Sequence, residues 1–171
     1  MQINKRDGFI SERREETKLP SHRRGGFTLL EVLLVIALLG ILAGIVIVAL
    51  NPATQLAKAN NAQRSSDANT ILNAVWQYSL GNQGSLPSSV LASADCLGTA
   101  AAEICKTGGD CTGLTDLSVL TTNEQYIVSM PFDPTGSSAD GAGYHVVKSV
   151  NGRVTVCAPA AELGQTVEVS K

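Results

Sequence analysis

The apolar and polar positions divide the chain into four stretches. Residues 1–26 are dense in charge, with SERREETKLPSHRR at their centre, and too polar to fold alone. From Val32 to Leu50 there are nineteen consecutive residues without a charge or a strongly polar side chain. Between Leu56 and Leu80 the pattern takes a helical period. Ala68, Ile71, Leu72, Val75 and Tyr78 form one apolar stripe, with Asn69, Asn73 and Gln77 across from it. Such a stripe needs a sheet to pack on. GNQGSLPSS, from Gly81 to Ser89, ends the helix with turn-forming residues, and residues 90–125 form a Gly/Thr/Ala-rich connection. YHVVKSV and RVTVCA then flank Asn151-Gly152, the signal for a two-residue hairpin, and a third strand is expected near Val167–Val169.

The pattern predicts an α+β chain: a long N-terminal helix whose second half packs on a small antiparallel β-sheet head. Helical from Phe27 to Leu80, the element would reach about 80 Å. Asn51-Pro52 interrupts it and has two readings. Asn can cap a helix whose first residue is Pro, or Pro52, lacking an N–H for the Val48 carbonyl, kinks one continuous helix. The kink is the expectation. The organisation is then a leader at 1–26, an apolar helical half at 27–52, an amphipathic half at 53–80 and a head at 81–171.

A hydrocarbon core of about 30 Å needs about twenty apolar residues, so the run is long enough to span a membrane. Gly40 and Gly44 supply a GxxxG spacing that lets helices approach closely. Charge gives the direction. The chain has a net charge of −2, but residues 1–26 hold seven Lys/Arg against four Asp/Glu, and residues 27–171 hold six against eleven. The basic excess precedes the span, which places the leader in the cytoplasm and the head outside. A body of net −5 does not present a nucleic-acid surface. An export signal would have a shorter apolar core followed by a small-x-small cleavage site. Here the small residues Gly25 and Gly26 come before the run, so a cut there would leave the span on the mature chain.

Cys96, Cys105, Cys111 and Cys157 all follow the span, on the side where disulfides persist. No C-x-x-C is present, and neither His22 nor His145 is spaced to complete a zinc site. Two disulfides are expected, with Cys157 tying the hairpin to the connection and three pairings open. Asp133 and Asp140, in the turn-rich MPFDPTGSSADGAG, are weak calcium candidates. Calcium takes 6–8 oxygens, so a solvated loop is the expectation and no metal or other cofactor is assigned. His145 falls in a strand and reads as structural. No cysteine has a base beside it, and no phosphate-cradling glycine motif occurs. The chain reads as a non-enzyme.

The string GGFTLLEVLLVIALLGILAGIV resembles the processing site of a type IV prepilin or type II secretion pseudopilin. The resemblance implies that a prepilin peptidase cuts between Gly26 and Phe27 and that Phe27 is N-methylated. It also implies that Glu31, the acid at the fifth mature position, meets the terminal amine of a neighbouring subunit and sets axial register. The late DP…G…Y stretch (Asp133, Pro134, Gly136, Tyr144) is similar to pseudopilin heads, in some of which the equivalent loop holds calcium. The physical reading agrees. A cut at Gly26 frees an amino group that is cationic at neutral pH, and Glu31 lies one helical turn along on the face of Phe27. The expected partners are the peptidase, like or related subunits in a helical filament, an assembly platform with its ATPase, and lipid before assembly. The expected location is a single-pass membrane protein that passes into an extracellular or periplasmic filament. The other class is a membrane-anchored binding protein that never polymerises, which leaves GGF and Glu31 without a purpose.

Overall fold

The computed structural model describes residues 25–98 and 102–171; all of the leader except Gly25 and Gly26, including Arg23 and Arg24, lies outside them. The chain divides into two compact units, one ending at Ile45 and the other spanning Val46–Lys171.

Helix α1, Leu29–Leu50, is twenty-two residues long, and none of its residues is buried. It is the one helix among the described residues long and apolar enough to cross a membrane. Helix α2, Pro52–Gly81, begins at once but is not a continuation. Asn51 takes a left-handed conformation (φ 43°, ψ 81°) and its side chain accepts from the Thr54 N–H, with Pro52 in the first turn. The capping reading therefore replaces the expected kink. Asn tolerates the left-handed region, and Pro at the first position has no N–H to satisfy. The helix ends past Gly81, where the Gly84 N–H donates to the Ser79 carbonyl at 2.8 Å.

The second unit is a sheet packed on α2. Strands β1 (Leu91–Ala92), β2 (Glu103–Cys105), β3 (Gly141–Lys148), β4 (Val154–Ala158) and β5 (Val167–Ser170) form it, with a short helix α3 at Ser118–Thr121. The order is β1-β3-β4-β5, with β2 also on β3. The pairs are antiparallel except β1–β3, which is parallel, so the sheet is mixed rather than wholly antiparallel. Ala68, Ile71, Leu72 and Val75 of α2 pack with Tyr144, Val146, Val154, Val156 and Val167, and Tyr78 is packed against the edge. Each such aliphatic side chain contributes about 1.5–3 kcal/mol when fully buried.

The β3–β4 turn also differs from expectation. Ser149 N–H donates to Arg153 O and Gly152 N–H to Ser149 O, which leaves Val150, Asn151 and Gly152 as a three-residue loop. Only Gly152 has a positive φ, at 84°. A two-residue Asn-Gly turn would need Asn151 to be left-handed as well. Disulfides join Cys96 to Cys157 and Cys105 to Cys111. The first ties the segment after β1 to β4; the second closes a small loop at the end of β2.

Candidate functional site

The N-terminal site is built on the start of α1. Gly25, Gly26, Phe27 and Thr28 precede the helix in irregular backbone, all exposed. Among the described residues, a Cβ on Gly25 or Gly26 would meet nothing within 4 Å. Thr28 caps the helix: the Glu31 N–H donates to Thr28 Oγ1 at 3.2 Å. Glu31 is thus the acid of the first turn, where carboxylates are favoured by the unpaired N–H groups and the helix dipole. The T-x-x-E spacing was a readable capping signal that sequence reasoning passed over. It gives Glu31 a local reason to sit where it does, beside any role toward a partner. Phe27 is 81% exposed, two residues before the helix. Gly40 and Gly44 lie one helical turn apart on α1, again with open space at each Cβ.

The loop offered for calcium has other work. Asp133 is fully buried and meets Arg64 of α2 in a two-bond fork, Nε to Oδ2 at 2.7 Å and Nη2 to Oδ1 at 3.0 Å. Its Oδ1 also accepts from the Thr135 and Gly136 N–H groups. That overturns the solvated-loop expectation for Asp133, whose carboxylate is buried against a cation and two amides. Asp140 is apart from this cluster and accepts from the Asp110 N–H at 3.1 Å. Among the described residues, no three His, Cys, Asp or Glu are grouped to hold a metal.

Arg64 itself is 0% exposed. Its remaining donors reach Thr135 Oγ1 at 2.5 Å, Asn61 Oδ1 at 2.8 Å and Glu162 Oε2 at 2.9 Å. All five guanidinium N–H groups are therefore used. The Asp133 hydrogen bond raises the Arg64 pKa; burial opposes this, and Glu162 adds to it. Burial pushes the Asp133 carboxyl up, but bonds from Arg64 and the two amides outweigh it and hold it below the usual carboxylate range. Glu162 is held low by Arg64 and then by Asn60. One turn along α2, Asp67 accepts from the Tyr144 hydroxyl at 2.8 Å. Burial and then that bond push the Tyr144 phenol well above its ordinary value. Gly143, at φ 76°, lets the loop close: a Cβ there would lie 2.8 Å from Asp133 Cβ and 2.9 Å from Gly136 O. The DP…G…Y stretch is thus a clasp on α2, held at Arg64 and Asp67.

His145 is nearly buried, with Nδ1 3.0 Å from the Cys96 carbonyl. It sits beside the Cys96–Cys157 bond, and among the described residues no cysteine is free.

Residues 21–47 match the family model described as the prokaryotic N-terminal methylation motif. That motif is the prepilin-type cleavage and methylation signature of type IV pilins and pseudopilins. No curated protein and no solved structure matches the chain. The matched span holds Gly26, Phe27, Glu31 and most of α1. The chain therefore carries the signature of a prepilin-peptidase substrate, borne on an apolar helix near its N-terminus and followed by an α+β head.

Proposed function

We propose that this protein is a structural subunit, pilin or pseudopilin, of a type IV pilus or a type II secretion-like filament. The methylation motif over residues 21–47 carries the reading. The peptidase cuts after Gly26 on the cytoplasmic side, and Phe27 becomes the N-methylated terminus. The processed chain waits in the membrane on α1. The assembly platform and its ATPase then draw it out, and α1 passes from lipid into a bundle of like helices. Glu31 pairs with the terminal amine of a neighbouring copy and fixes the step between them. An exposed apolar helix of twenty-two residues supports this reading, because it is stable only in lipid or among such helices.

The N-terminal peptide of the protein from membranes and from sheared filaments tests it. A terminus at Phe27 with a mass gain of one methyl group is expected. Gly26→Arg should leave an uncleaved precursor in the membrane and no filaments. Normal processing of Gly26→Arg would remove the site from Gly26. An intact leader on the wild-type chain would favour a membrane-anchored binding protein that does not polymerise.

A further inference from the structure

β3 runs between two ends of unlike charge. Before its first residue lies Asp140, bonded to the Asp110 N–H. A cleft beside the same disulfide loop is lined by Cys105, Cys111 and Asp116. Asp110 and Asp116 are exposed. Lys106 is the base at this end, and it is engaged locally: its Nζ donates to Ser138 O at 2.5 Å and lies 5.0 Å from the Phe132 ring centre.

The other end is basic. Lys148 closes β3 and is paired with Val154, which exchanges two 3.0 Å backbone bonds with Lys171. Residues directly opposite share a face, so Lys148 and Lys171 flank the buried Val154. Lys171 Nζ lies 5.8 Å from the Trp76 ring centre. Arg153 is exposed just before β4, and Val150, between Lys148 and Arg153, is 96% exposed. Both ion pairs among the described residues are those of Arg64, so Lys148, Arg153 and Lys171 pair with no described carboxylate. The nearby Asp95 turns its Oδ1 to the Leu97 and Gly98 N–H groups. The eight residue steps from Asp140 to Lys148 separate the two ends by about 25 Å at 3.2–3.4 Å per residue.

On the filament reading above, we infer that the basic end of one head, Lys148, Arg153 and Lys171, docks on the acidic Asp110/Asp116/Asp140 end of the next copy. The occupant is a second copy because one chain carries both halves of the contact, unlike in sign and at opposite ends of one strand. A contact between two different patches of the same protein repeats head to tail and propagates as a filament instead of closing as a dimer. Val150 supplies an apolar point inside the basic half. Opposed charges of this kind set register and exclude wrong neighbours more than they add affinity.

The test uses the full-length protein in filament-forming cells. A carbodiimide joins a carboxylate to an amine with no spacer, and the two ends of one head are too far apart for it. Peptides linking Lys148 or Lys171 to Asp110, Asp116 or Asp140 are therefore intermolecular, and are expected in wild-type filaments. Lys148→Glu/Arg153→Glu should lower filament yield about tenfold, since like charges then face each other. Adding Asp110→Lys/Asp116→Lys should restore the yield, a rescue that misfolding would not give. Wild-type filaments without these links, or an unchanged yield for Lys148→Glu/Arg153→Glu, would overturn the contact and leave the filament reading standing. Unchanged filaments that lose retention of duplex DNA would overturn it in favour of a nucleic-acid partner at the basic end. Absence of wild-type filaments would overturn both.

Discussion

Arg64 is buried and spends all its donors inside the head, and nothing local in AQRSSDAN marks it. It follows the same helical period as Ala68, Ile71 and Val75, so a positive charge stands in a core position. A period count reads an Arg there as the end of the apolar stripe, because the acids that neutralise it are 69 and 98 residues away in sequence. Removing one partner of a buried pair leaves the other unpaired. Arg64→Met or Asp133→Asn should each destabilise the head by about 3–5 kcal/mol. Arg64→Met/Asp133→Leu should lose less than the sum, since no lone charge remains. Denaturant unfolding of the detergent-solubilised protein measures both. The pair also makes stability depend on pH in one direction. Asp133 and Glu162 have folded pKa values below their unfolded ones, so the folded state binds fewer protons in acid. Their contribution is complete above the ordinary carboxylate range and is lost as pH falls from that range through the lowered values. Thermal unfolding across that range should show a steep acid limb for wild type and a shallower one for Asp133→Asn. Equal slopes would mean that the pair is not the group being protonated.

Single elements were legible where a local signal settles them. The apolar run gave α1, the alternation of Val154 and Val156 gave β4, and Asn51-Pro52 marked a break after α1. What the sequence left open at that boundary was the Asn51 conformation, which decides between a kink and two helices. It left the disulfide pairing open too, because pairing follows from β1 and β4 lying on either side of β3 and from β2 ending in a tight loop. The two bonds act on different scales. Cys96–Cys157 spans 61 residues of sequence and Cys105–Cys111 spans 6. By loop-closure entropy the first restricts the unfolded chain by about 4 kcal/mol and the second by about 2. Cys96→Ser/Cys157→Ser should therefore lower the melting temperature clearly more than Cys105→Ser/Cys111→Ser. The reverse order would show that the small loop supports the head through its contacts, among them the Met130 N–H to Thr107 Oγ1 bond.

For the whole molecule, sequence and structure meet at Glu31. A membrane-length helix with an acid in its first turn looks costly while one chain is considered alone. An isolated acid at mid-span costs on the order of 2.5–3.5 kcal/mol, and less near the interface. The helix N-terminus accounts for the part that one chain can offset by itself, while Thr28 caps the backbone N–H of Glu31. Those same contacts are available to a monomer in lipid, so they give no reason for a charge once α1 is surrounded by other helices. A charge needed for assembly should respond to loss of sign alone, whereas a capping acid should not. Glu31→Gln keeps the side chain's length and its ability to accept from a backbone N–H, and removes only the charge. It is expected to leave cleavage after Gly26 intact while filament yield falls, as for Glu31→Ala. Immunoblots of precursor and mature forms, beside the yield of sheared filaments, separate the two steps. Wild-type filament yield from Glu31→Gln would confine Glu31 to capping α1, and some feature other than charge pairing would then have to set the step between copies.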